Sequence, residues 1–219
     1  MDANSKFYNF CMTVTDLIMI NVLFFVCSIP VFTIGASFTA LYDCTLKMVR
    51  GEETSPIYKG FFKAFRQNFK QATLIWILLF AVGAFLVWDF YIITGTSGAS
   101  SQSMGIVLLA VLAFIYIMLL AYLFPMMARY ENTTRALMQN SIRLAVGRFP
   151  YTITIMVMDI SPLLILLVPG DYIKWIIMAY IFIWFSLVAW INSRLFRVMF
   201  DRLEGVEPPK QENKTRGVR

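Results

Sequence analysis

Few residues of this chain could do chemistry, and the clearest stands where water is scarce. Asp159 lies in Met156-Val157-Met158-Asp159-Ile160-Ser161-Pro162, inside a long apolar run. An ionised Asp at the centre of a membrane helix costs roughly 2.5–3.5 kcal/mol on insertion scales. It therefore marks either a proton or substrate site, or a carboxyl neutralised by protonation or hydrogen-bonded to a neighbouring helix. Pro162 should free the carbonyl of Met158 and kink the helix beside it. Asn21 is the second intramembrane polar group and, with Asn192, suits interhelical hydrogen bonds worth about 1 kcal/mol each. Most other chemistry is excluded. The chain has 0 His, which removes imidazole acid–base catalysis and His metal ligation. Cys11, Cys27 and Cys44 form no C-x-x-C pair and read as small apolar side chains. Phosphate-loop, nucleophile-elbow and dinucleotide glycine patterns do not occur. The reading is a non-enzyme: no catalytic residue, no metal and no cofactor.

The elements that hold these residues are membrane spans. Of 219 residues, 59% are apolar and 15% charged, and mean hydropathy is +0.68; ordinary globular chains carry roughly 45–50% apolar and about 25% charged residues. The fold class is all-α, a polytopic membrane protein. A span needs about 20 mostly apolar residues, and five windows qualify: 17–38, 72–93, 105–128, 151–168 and 173–191. The first contains Pro30 and Gly35. A re-entrant hairpin there would have arms too short to cross, so one kinked span is expected. Of 19 basic residues, all but Lys6 and Lys174 then fall on one side, which puts the N-terminus outside and the C-terminus in the cytoplasm. The net charge of +6 is thus a topology signal, not a nucleic-acid one. Residues 1–205 form a single membrane domain, and 206–219 a disordered tail.

One stretch outside the apolar windows is patterned. In 58–71, Tyr58, Phe61, Phe62, Phe65 and Phe69 read as one face of a helix, with Lys63, Arg66 and Lys70 on the other. Such a helix suits two tasks. It can lie in the bilayer interface with its lysines on lipid phosphates, or dock another subunit. Met138, Ile142, Ala145 and Phe149 repeat the spacing 80 positions later, and Pro125 echoes Pro30 upstream, which suggests a duplicated unit of span, cytoplasmic helix and span.

Several stretches resemble the YesL-like bacterial membrane proteins, a family grouped as a domain of unknown function. They are Asp16-Leu17-Ile18 with Asn21, then Cys27-Ser28-Ile29-Pro30-Val31-Phe32-Thr33-Ile34-Gly35-Ala36, Thr39-Ala40-Leu41-Tyr42, Arg50-Gly51-Glu52, and Phe61 through Ala72. The resemblance covers about the first eighty residues. It draws attention to Pro30, Gly35 and the 61–69 helix. It also implies an accessory subunit of a carbohydrate ABC importer, with the importer's permease subunits as partners, because genes of the family sit beside those for such importers. The alternative is an independent transporter or channel using Asp159.

Overall fold

A computed structural model of the chain describes residues 3–52, 56–95, 99–161 and 170–205. These residues are helical almost throughout: α1 (Ala3–Ser28), a 3-10 turn (Val31–Thr33), α2 (Ile34–Arg50), α3 (Ile57–Gly95), α4 (Ala99–Arg129), α5 (Thr134–Gly147), α6 (Phe149–Ile160), α7 (Gly170–Ala179), a π-helical turn (Tyr180–Trp184) and α8 (Phe185–Leu203). Among the described residues, four stretches are long and apolar enough to cross a bilayer: Phe7–Ser28, Ile57–Gly95, Ser103–Arg129 and Tyr172–Leu203. The protein is a multi-pass helical membrane protein.

The expected kinked span over 17–38 is corrected. The first spanning segment is Phe7–Ser28, and the chain breaks there instead of bending. Pro30 disfavours a helical residue before it and cannot donate a backbone hydrogen bond; it adopts an extended conformation (φ −75°, ψ 112°). The Thr33 hydroxyl lies 2.5 Å from the Cys27 carbonyl and 2.6 Å from that of Pro30, and can donate to either. α2 then starts as a separate helix. Hydropathy merges the two because α2 is itself apolar, but its residues are covered by protein. Gly35, Ala36, Ser37, Thr39, Ala40, Leu41, Tyr42, Cys44, Thr45 and Leu46 are all buried. Ser37, Thr39 and Thr45 return their hydroxyls to carbonyls four residues back, so a buried polar face carries no unpaid donors. Gly51 closes the helix in the left-handed region (φ 71°), its N–H reaching Lys47 O and Met48 O.

Gly35 explains how α2 meets α3. A Cβ there would lie 2.6 Å from both the Ala72 carbonyl oxygen and the Trp76 Cβ, so only glycine permits this approach. The Trp76 indole N–H donates to Val31 O at 2.7 Å, fixing the register.

Two layers result. In the outer reaches of the spans, apolar side chains point away from the protein, as with Phe85, Val87, Trp88 and Tyr91, all at least half exposed; lipid is the solvent for such a surface. At the other end, α2, the start of α3, the end of α4, α5 and the end of α8 enclose a core with Phe61, Tyr122, Leu137, Phe196 and Phe200 fully buried. α6 has 12 residues, too few to span by themselves; positions 162–168 of the expected fourth span, Pro162 among them, lie outside the described residues, as does the tail 206–219. The two halves of the suggested duplication differ. Residues 57–71 run without a break into the span of α3, whereas Arg148 (φ −127°, ψ 44°) separates α5 from α6. α4 also stays helical through Pro125.

Candidate functional site

Asn21 and Asp159 are each hydrogen-bonded to another element, whereas the buried Thr73 hydroxyl, within the α3 span, has no protein partner. Asn21, on α1, is fully buried and inserts its amide into the π-helical turn. Its Nδ2 donates to Tyr180 O (3.0 Å) and Ile181 O (2.7 Å), and its Oδ1 accepts from Ser186 N (2.9 Å). A π turn interrupts the regular ladder of backbone hydrogen bonds, and one side-chain amide replaces what is lost. The Tyr180 hydroxyl and the Trp184 indole N–H reach back to Ser161, to its carbonyl and hydroxyl respectively, each at 3.3 Å. Asp159 is partly buried; its Oδ1 accepts from Asn192 Nδ2 on α8 at 2.9 Å. The Tyr122 and Thr152 hydroxyls pair at 2.7 Å, and those of Thr45 and Ser193 at 2.9 Å.

At the α2 end of the molecule, ion pairs secure the last turn of α8. Arg50 Nη2 lies 2.8 Å from Asp201 Oδ1, and Arg197 Nη1 donates to Val49 O at 2.7 Å. Arg129 grips Glu204 with Nε and Nη2, both at 3.1 Å, and the Tyr130 hydroxyl donates to the same carboxylate at 2.9 Å. The Arg129 hydrogen bonds hold the Glu204 carboxyl below its usual range. Burial, then the hydrogen bond to Glu204, pushes Tyr130 up to about 12.

The helix over 58–71 departs from expectation. Its aromatics do not share one face. Ile57, Gly60, Phe61 and Ala64 turn inward at i, i+3, i+4 and i+7. Phe61 is fully buried, Phe65 and Phe69 are half-buried against the core, and Tyr58 and Phe62 are 42% and 43% exposed. Lys63, Arg66 and Lys70 are exposed, as is Lys59. Phe61 and Phe62 are neighbours in sequence but 100° apart around the axis, which the sequence pattern blurred. Tyr58, Lys59, Phe62, Lys63, Arg66 and Gln67 line an open groove of about 430 Å³.

Beside it, across Gln67, is a polar cleft of about 1030 Å³ that sequence reasoning missed, lined among others by Asp43, Lys47, Glu52, Gln71 and Glu131. Lys47 and Asp43 pair within it at 2.6 Å. Burial raises the Asp43 carboxyl, and Lys47 only partly offsets it. The i, i+4 spacing of Asp43 and Lys47 was the available signal. Among the described residues, no cluster of His, Cys, Asp and Glu suits a metal ion.

Residues 17–90, from the middle of α1 to the outer part of α3, match the family described as a protein of unknown function, DUF624. That stretch includes the Pro30 break, the Gly35 contact and the groove. The uncharacterized protein YteU of Bacillus subtilis (strain 168) is 22% identical over 215 residues, covering 95% of this chain and 92% of YteU. No solved structure matches. The chain is a helical membrane protein whose residues 17–90 are similar to that family, and which along most of its length is similar to YteU.

Proposed function

We propose that the protein is a non-enzymatic accessory subunit of a carbohydrate ABC importer in the bacterial plasma membrane, docked on the permease through its helices. One observation carries the reading. Tyr58 and Phe62 are turned out of the protein at its most basic end, while Asn21 and Asp159, the polar residues expected inside the membrane, are hydrogen-bonded within the protein. Exposed aromatics ringed by charged side chains fit a protein interface, whose core is enriched in aromatic residues and whose rim is polar. The resemblance to YesL-like proteins supplies the importer as the partner.

The experiment is a mild-detergent pull-down from host cells grown on plant or algal polysaccharide, paired with uptake by a Tyr58→Ser/Phe62→Ser variant. Importer permeases recovered near stoichiometry from wild type, and depleted together with uptake from the variant, support the reading. Partner-free protein that moves sugar in proteoliposomes overturns it in favour of an independent transporter. Phe65, half-buried against the core, is left intact because changing it would confound docking with folding.

A further inference from the structure

We infer that the outward face at the start of α3 receives an acidic, amphipathic segment of a protein that lies in water below the membrane. The inference rests on the docking reading above for the claim that this face meets a protein, and adds the chemistry and location of what it meets. Location follows from the continuity of α3, a single helix of 39 residues. Its charge-free apolar stretch starts at Ala72. Tyr58 is fourteen residues earlier, about 21 Å down the axis at 1.5 Å per residue, and still about 16 Å down at a 40° tilt. The headgroup layer adds only about 5–8 Å beyond the hydrocarbon. The groove is therefore clear of the interface, and its aromatics are out of reach of acyl chains. A flat-lying lipid anchor would require a bend near residue 71 that α3 does not make.

Chemistry follows from charge. Lys59, Lys63, Arg66 and Lys70 are all exposed, and none belongs to the ion pairs of the described residues. Of the acids in the adjoining cleft, Asp43 is paired with Lys47 and also feels the charge of Lys63, while Glu52 and Glu131 form no ion pair with these cations. Tyr58 and Phe62, one turn apart, supply the apolar strip between these cations. An occupant that both covers the strip and satisfies the cations has Asp or Glu flanking aliphatic or aromatic residues. The chain's own tail does not qualify: residues 206–219 hold Glu207 and Glu212 against Lys210, Lys214, Arg216 and Arg219. Nor does a second copy joined by twofold symmetry, which would set this basic face on itself.

The test places a photo-reactive benzoyl-phenylalanine at position 62, and separately at 58, in the full-length protein within host membranes, and maps the adducts by mass spectrometry. The expected adduct is a water-exposed protein segment in which Asp and Glu outnumber Lys and Arg. Lys59→Glu/Lys63→Glu/Arg66→Glu should lower its yield about tenfold or more, and reversing the partner's acids to Lys should restore it. These positions are exposed, and an unchanged detergent melting temperature verifies that the triple variant folds. Adducts to lipid alone, to a second copy, or to a segment without acidic excess overturn the inference, as does a yield indifferent to charge reversal. The two claims fail separately. An acidic segment from a protein unrelated to importers sustains this inference and overturns the importer reading; an importer peptide lacking acids does the reverse.

Discussion

Gly35 has a role that a sequence can flag but not explain. Its place in an apolar run beside Pro30 reads as a kink, yet its structural task is to admit the α3 backbone. Gly35→Ala puts a methyl 2.6 Å from Ala72 O and Trp76 Cβ, both on a helix that cannot yield locally. Overpacking of this kind costs about 1–3 kcal/mol, to be read as a lowered melting temperature in detergent. Gly95→Ala, with nothing within 4 Å, serves as the neutral control, and equal effects from the two would refute the close-approach account. Asp159 poses the opposite problem. Its apolar surroundings make it conspicuous in sequence, but its partner sits 33 residues away on α8, and no local pattern points there. In Asp159→Asn the new amide oxygen still accepts from Asn192 Nδ2. Its NH₂ offers a donor to Asn192 Oδ1, which is buried without a partner. Stability should be unchanged or higher, whereas Asp159→Leu strands the Asn192 amide and should cost about 1–2 kcal/mol. A destabilisation of Asp159→Asn equal to that of Asp159→Leu would show that the fold needs the carboxylate itself. Uptake should survive Asp159→Asn if the protein is an accessory subunit.

At the scale of elements, length and hydropathy made the long helices legible, and packing made the rest illegible. α2 is apolar because it is enclosed by other helices, and a hydropathy window treats a protein-facing alanine like a lipid-facing one. Ala36, Ser37, Thr39 and Ala40 in succession were the available clue, since small and hydroxylated residues mark helix–helix contact in membranes. The π-helical turn had no local signature; the amide that satisfies its freed backbone groups is Asn21, on a different helix. Removing that amide in Asn21→Ala leaves Tyr180 O, Ile181 O and Ser186 N without their side-chain partner. Three such bonds at roughly 0.6 kcal/mol each amount to about 2 kcal/mol, and amide exchange should quicken over 180–186. Asn21→Asp should be worse than Asn21→Ala, because a carboxylate would face two carbonyl oxygens; tolerance of Asp would contradict the donor role. The clasp at the end of α8 is sensitive to acid. Arg129 holds the Glu204 carboxyl below its ordinary 4.5, so the ionised form is favoured in the folded protein. Its contribution is present above about pH 4.5 and fades as pH falls through the lowered value. Screening by solvent limits it to about 1 kcal/mol. Glu204→Gln should flatten this acid-side loss in a melting-temperature series across pH 3 to 6.

For the molecule as a whole, the two layers dictate how it sits in a bilayer. Apolar side chains are exposed where spans face lipid and buried where α2 is wrapped, and Lys and Arg crowd the wrapped end. The positive-inside rule predicts that this end faces the cytoplasm, and α3 alone can report whether it does. Lys59 and Thr94 are both exposed on this one helix, 35 residues and about 52 Å apart, more than the roughly 40–45 Å of a whole bilayer. In a Cys11→Ser/Cys27→Ser background, Cys44 is a silent passenger, since it is buried and its thiol is pushed up to about 12. A membrane-impermeant maleimide should label Thr94→Cys in intact cells and Lys59→Cys only once the membrane is opened. The reverse pattern would invert the orientation and move the groove to the outside, where no cytoplasmic partner could reach it. Labelling of both positions from one side would mean that α3 does not cross the bilayer, and the two-layer arrangement would fail with it.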